Sequence, residues 1–414
     1  MDEFWVTYGQ AAKTAVGFFW KAGWAFVVGY AISAMIQVLV PKARLAPKMG
    51  HANAKSVAIS TVFGTISSSC SFAALAAARS LVLKGAHFIC AVAFMFASTN
   101  LVIELGILIL IFLGWQFLAA EIVGGLLLIA ISSLLIRLTY PQRWMQAARE
   151  KVEDEGGQEE EAFDWKQRIR SWDGWCRVGH RFVMEWKMVW QEILIGFTVA
   201  GFVAAFVPDS FWKALFLAEQ AEQNPGSFLI ALQNAAVAPF VAAATFIGSM
   251  GNIPLATVLN TGGVLFAGIM GFIYSDLMVP PLVKINAKYY GWRLALYIAA
   301  IMYVSIVITA LILHYGFYFT GLTPESSRKV EQITQFEIDY TLFLNIAASG
   351  LVGLMVYLRH VHKKHQAKGH GGHHRHHEHG ADGWDVQDVV TYLFIAILIG
   401  GMVSFALTGG SGSG

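Results

Sequence analysis

The chain has 414 residues, 56% hydrophobic and 14% charged, with mean hydropathy +0.55 and a formal net charge of +2. Soluble chains carry about 25% charged residues, so this deficit excludes an ordinary water-soluble fold and requires lipid to cover apolar surface. The small net charge gives no reason to invoke a nucleic-acid partner, and Cys70, Cys90 and Cys176 are too scattered for a disulfide framework or a cysteine-type zinc site.

In chain order, Met1–Gln10 opens with Asp2 and Glu3 and lacks the basic start of a cleavable signal peptide. A first span is predicted at about Val16–Val40, ending at Pro41, followed by a basic loop with Lys42, Arg44, Lys48 and Lys55. Apolar segments fill Val57–Leu83 and Phe88–Leu113, and a clean span covers Gln116–Ile136. The polar stretch Arg137–Lys187 then holds ten Lys/Arg and an acidic block, Glu150–Glu161. A second series follows: a span at Val189–Val207, a polar segment Pro208–Asn234, interrupted apolar stretches at Val237–Leu259 and Val264–Val283, and a clean span at Leu294–Leu313. Two more spans, Leu342–Leu358 and Val389–Leu407, flank a histidine-rich loop.

The second series repeats the first. A shift of 177 positions superposes Gly85 on Gly262, Ser98 on Ser275, Gly114 on Gly291 and Trp115 on Trp292. Internal duplication with interrupted hydrophobic segments points to a transporter whose binding site lies between two repeats. Lys/Arg-rich loops mark the cytoplasmic side. They place the 137–187 linker and the histidine loop there, and the N-terminus outside. Both assignments hold only if each half crosses three times, which makes the repeats inverted, with one stretch of each half turning back as a re-entrant hairpin. The expected architecture is an all-α polytopic membrane protein. It has a first repeat at 1–137, a cytoplasmic linker at 138–187, a second repeat at 188–316 and an accessory two-helix segment at 317–408. Residues 409–414 read as an appended Gly/Ser linker.

Non-helical backbone at bilayer depth survives only where protein or a water-filled cavity satisfies its polar groups. Four interruptions stand out: Ser67-Ser68-Ser69-Cys70-Ser71, Ser98-Thr99-Asn100, Gly248-Ser249-Met250-Gly251-Asn252, and Ser275-Asp276 with Pro280-Pro281 beyond. Half-helix ends there would present free N–H or C=O groups and partial charge to a substrate. Ser68, Ser69, Cys70, Ser98, Thr99, Asn100, Ser249, Asn252, Ser275 and Asp276 are therefore the candidate cavity residues. The competing reading is that these small residues mediate helix packing. Cys70 would suit a soft metal or metalloid as its thiolate, or would be a small buried side chain. Cys90, inside an apolar run, reads as packing.

Glu104 and Asp276 are intramembrane carboxylates and hence candidates for coupling, with Asp276 preferred because it falls opposite Thr99 under the shift. Lys21 and Glu121 sit towards span ends and are expected to snorkel. Nine of the thirteen histidines lie between His360 and His379. Of these, His370, His373, His374, His376, His377 and His379 could hold a divalent metal loosely in a Gly-rich segment. No other cofactor is indicated. No nucleotide-binding loop, His-Glu-x-x-His or Gly-x-Ser-x-Gly motif occurs, so the chain reads as a non-enzyme driven by a gradient.

Over about Val16–Tyr315 the layout resembles the bacterial predicted-permease family that includes the trivalent organoarsenical efflux permeases (ArsP-like). The resemblance rests on the duplicated breaks, Cys70-Ser71, Asn252-Ile253-Pro254-Leu255-Ala256 and Gly291-Trp292-Arg293. Where that family commonly carries a Cys-Ser-Cys pair of thiols, this chain reads Ser68-Ser69-Cys70-Ser71. The resemblance implies efflux of a small soft substrate across a bacterial inner membrane, such as a trivalent organoarsenical or metalloid. Two alternatives are a divalent-metal exporter or channel with a histidine-rich sensor loop, and a non-transporting anchor subunit. The partners expected are a small molecule or ion and the lipid bilayer, with a homo-oligomer left open.

Overall fold

A computed structural model of the full chain describes residues 2–39, 49–67, 71–139, 170–224, 226–245, 247–324, 330–336, 338–369 and 386–408. Among these residues there are seventeen α-helices and no strand, so the protein is an all-α polytopic membrane protein. Among the described residues seven helices are long and apolar enough to cross a bilayer. The described residues fall into two compact units.

The larger unit covers 42–162 and 207–333. Its first half runs through α2 (Ala54–Ser67), α3 (Ser71–Leu83), α4 (Phe88–Asn100), α5 (Ile103–Phe112) and α6 (Trp115–Thr139). In the second half, two short helices of the same unit, α8 (Asp209–Phe216) and α9 (Ala218–Gln223), precede α10 (Phe228–Thr245), α11 (Ser249–Thr261) and α12 (Phe266–Ile273). A 3-10 turn (Asp276–Met278), α13 (Pro280–Tyr290), α14 (Trp292–Thr320) and α15 (Val330–Ile333) complete it. The 177-residue shift puts Ile103 on Pro280 and Trp115 on Trp292, the first residues of α13 and α14. The duplication seen in the sequence is therefore a duplication of helices.

Three of the four expected interruptions are breaks in helix, and the first, at Ser67–Ser71, falls mostly outside the described residues, between α2 and α3. Phe88–Leu113 breaks after Asn100 with a 42° bend. Val237–Leu259 breaks between Thr245 and Ser249, and Val264–Val283 breaks after Ile273. The reasons are local. His87 caps α4 by accepting from the Ile89 amide at 3.3 Å, and Leu101 leaves the helical region at ψ 43°. Gly114 (φ 101°) and Gly291 (φ 86°) occupy the left-handed region at the equivalent joints α5–α6 and α13–α14, where an L side chain would be strained.

Burial separates two kinds of helix. Every residue of α4 is buried, so α4 runs through protein, packed by α2, α3 and α6. In α6, Ala120, Glu121, Gly124, Gly125 and Leu128 face inward while Ile122, Val123 and Leu126 are exposed, which is the pattern of a helix with one lipid-facing side.

The smaller unit covers 1–41, 163–206 and 334–414. It packs α1 (Asp2–Leu39), α7 (Trp172–Phe206), α16 (Tyr340–Gly369) and α17 (Val386–Leu407) against one another. The span expected at Val189–Val207 belongs to a helix that begins at Trp172, inside the stretch read as linker. Its early turns bury Cys176, Val178, Gly179 and Phe182, with Gly179 closely packed on Leu358 and Met355 of α16. Polar contacts staple the unit: Tyr8 donates to the Ile397 carbonyl (2.6 Å), Asn345 to that of Trp20 (2.8 Å) and Ser404 to that of Trp5 (2.8 Å). Near the other end, Gln37, Arg181 and Glu185 form one network. Lys21 does not snorkel: its side chain is 12% exposed and its ammonium sits 2.8 Å from Asp339. A charge in mid-helix finds a carboxylate more cheaply than it reaches water.

Candidate transport site

Within the larger unit, α11 is a helix of 13 residues that opens at Ser249, and α3 is described from Ser71 onward. At 1.5 Å rise per residue α11 is about 20 Å long, too short to span a bilayer core. Ser71 and Ser249 meet, their hydroxyl oxygens 3.3 Å apart. The Ser71 hydroxyl donates to Asp276 Oδ2 at 3.1 Å, and the Ser249 side chain also bonds this carboxyl. Asp276 is fully buried in the 3-10 turn after α12, and its Oδ1 has no hydrogen-bond partner among the described residues. One carboxyl thus joins side chains from both halves of the chain at the positive end of the short helix α11.

One helical turn on from Ser249, Asn252 is also fully buried, and neither of its amide atoms has a partner among the described residues. A buried, unpaired amide is costly, so such atoms are the ones a passing ligand would satisfy. At its far end α11 reaches a polar cleft of about 450 Å³, lined by Gln116, Thr257, Asn260, Thr261 and Thr323 among others. Thr257 is eight residues beyond Ser249, or about 12 Å along the helix.

The remaining sequence candidates are placed differently. Ser98, Thr99 and Ser275 are buried, and each hydroxyl donates to a carbonyl three or four residues back (Met95, Met95 and Phe96, and Gly271). That is how membrane helices absorb hydroxyls. Asn100 donates from Nδ2 to the Phe96 carbonyl (3.2 Å) and to Thr99 (3.1 Å), leaving Oδ1 without a partner among the described residues. Glu104 is buried in the first turn of α5, where a carboxylate complements the helix dipole. Cys90 is a packing residue, buried with Met49 and Ala86. Ser68, Ser69 and Cys70, and the histidines His370, His373, His374, His376, His377 and His379, lie outside the described residues. Among the described residues no group of three His, Cys, Asp or Glu side chains is placed to hold a metal ion.

Sequence reasoning missed Glu121. Read as a snorkelling residue, it is instead 1% exposed, with neither carboxylate oxygen in a well-aligned hydrogen bond among the described residues. Its carboxyl lies within electrostatic reach of Asp276. Between them stands Tyr274, fully buried, whose hydroxyl donates to the Ala120 and Glu121 carbonyls at 3.1 and 3.3 Å. The spacing Glu121-Gly124-Gly125-Leu128, one helical face of small and buried residues, was the available signal.

Apolar membrane-crossing helices and a buried carboxyl bonded by side chains from both halves of the chain fit a membrane transport protein of the permease class. The chain matches the family described as Predicted permease (ArsP_1) over residues 7–315, and it belongs to that family. It is 37% identical over 321 residues to the Mycobacterium tuberculosis (strain ATCC 25618 / H37Rv) protein named "Putative permease Rv2963", an alignment covering 74% of this chain and 77% of that protein. No solved structure matches the chain.

Proposed function

We propose that this permease is a gradient-driven exporter of a small soft substrate such as a trivalent organoarsenical or metalloid, with Asp276 as the coupling group. The observation that carries the proposal is the junction of Ser71, Ser249 and Asp276, where side chains from both halves converge on one carboxyl. An intramembrane carboxyl in that position can exchange a proton, or release the serine hydroxyls to a substrate, as the halves move between two arrangements. Cys70 immediately precedes Ser71 in the chain and is the thiol proposed to contact the substrate. Asn252 would offer its unpaired amide to the same ligand, and α11 would lead from there to the polar cleft at Thr257. The charge distribution supports an inverted repeat with the N-terminus outside and the 137–187 and histidine segments in the cytoplasm.

The test is methylarsenite accumulation in everted membrane vesicles, with Asp276→Asn and Cys70→Ala beside the unaltered chain. Asp276→Asn should insert normally and transport nothing above background, and Cys70→Ala should accumulate less. Undiminished transport by Asp276→Asn would refute the coupling role, and undiminished transport by Cys70→Ala would refute thiol contact. A chain that moves no methylarsenite at all would remove that substrate.

A further inference from the structure

A second cavity of about 430 Å³ lies in the larger unit, between α5 and α6 and beside the break after Asn100. Its mouth is apolar and open: Ile103, Leu110, Ile122 and Leu126 are each between 44% and 51% exposed, on helices apolar enough for a bilayer. Its inner residues are Asn100 and Glu121, exposed by only 2% and 1%. Among the described residues Asn100 Oδ1 has no partner there, and the Glu121 carboxyl has only the Tyr274 side chain beside it, in no well-aligned hydrogen bond. Thr65, the other polar side chain of the lining, already donates its hydroxyl to the Thr61 carbonyl at 3.0 Å.

A volume of this size suits a small ligand. Apolar walls open to the acyl-chain region call for an apolar body, and a carboxyl beside an unpaired acceptor calls for a donor-bearing, cationic head. We propose that this cavity is a binding site for small amphiphilic amines that enter sideways from the bilayer and place their ammonium group at Glu121 and Asn100. A buried carboxyl with only one poorly aligned hydroxyl beside it is costly in an apolar surrounding, and an ammonium is the complement that offsets this cost. The site is distinct from the Ser71–Asp276–Ser249 junction and does not depend on the substrate class proposed above, because binding needs no transport.

The probe is dansylcadaverine, a primary amine on an apolar fluorophore whose emission rises in apolar surroundings, titrated into the purified full chain in nanodiscs. The unaltered protein should give a saturable signal over that of empty nanodiscs. Glu121→Gln should bind about tenfold more weakly, the loss of one charge-assisted contact. Leu126→Trp, which fills the mouth from its exposed side and leaves the interior intact, should lose the saturable signal. Leu296→Trp, at an exposed α14 position outside the cavity, should bind as the unaltered chain does. Dansylamide, which lacks the alkyl amine, should bind weakly and equally to the unaltered and Glu121→Gln proteins. A saturable signal unchanged in both Glu121→Gln and Leu126→Trp, or a signal that never saturates in any protein, overturns the proposal. Should Glu121→Gln fail to fold, the comparison of Leu126→Trp with Leu296→Trp decides it.

Discussion

Ser71 and Asp276, 205 residues apart in sequence, are joined by a 3.1 Å hydrogen bond that fastens the start of α3 to the turn following α12. Ser71→Ala leaves Asp276 Oδ2 without that donor in a dry interior, which should cost about 1–2 kcal/mol. Thermal unfolding in detergent should show a lower midpoint for Ser71→Ala. A Ser71→Thr chain, which keeps the hydroxyl, should recover most of the loss.

Asn234 is the polar pivot of the second half. Its Nδ2 donates to the Phe216 carbonyl (2.7 Å) and the Ile230 carbonyl (3.0 Å), and its Oδ1 accepts from the Leu265 amide (3.2 Å), just before α12. It is fully buried. Asn234→Leu leaves a buried amide and a buried carbonyl unmet and should destabilise the protein by about 1–3 kcal/mol. Hydrogen exchange at Leu265 and Phe266 should speed up more than exchange in α4.

Lys21 and Asp339 form the ion pair of the smaller unit, and the hydrogen bond from Lys21 lowers the carboxyl's pKa. The sign follows: a carboxyl with a depressed folded-state pKa adds stability above its unfolded value near 3.9, and that stability is lost as pH falls through the folded value. Lys21→Met should therefore reduce stability at pH 7 and narrow the difference from the unaltered chain as pH drops below about 4. The carboxylate is partly exposed, so a double-mutant cycle with Asp339→Asn should return a coupling of no more than about 1 kcal/mol.

Gly114 and Gly291 hold the same left-handed joint in the two halves, and no neighbouring atom is within 4 Å of a β-carbon placed at Gly291. Any penalty on Gly291→Ala, at φ 86° and ψ 156°, is then backbone strain alone, about 1–3 kcal/mol. Gly114→Ala should cost a similar amount, and the double variant should show close to the sum in unfolding midpoints, since distant sites add.

Much of the helical plan was legible because its signals are local. Runs of apolar residues give spans, and a Ser-Thr-Asn or Gly-Ser cluster within such a run gives a break, as at Asn100 and Ser249. Gly-Trp at 114–115 and 291–292 marks the same turn twice. The site was less legible because partner choice is not local. Ser98 and Ser71 look alike in sequence, yet one bonds back to Met95 and the other reaches across to Asp276. Glu121 was misread because six residues into a helix is near a span end by counting, while the surrounding helices keep it from water. Lys21 was misread for the same reason, since its partner lies 318 positions away.

The distance along the chain between Ser71 and Asp276 also governs how the molecule is made. A ribosome adding about 5–20 residues per second takes roughly 10–40 s to travel that far. Throughout that interval the newly inserted α3 has neither its carboxyl nor its counterpart α11. The first half must wait in the bilayer with the Ser71 hydroxyl lacking its carboxyl partner. Truncation before Asp276 would remove that partner for good.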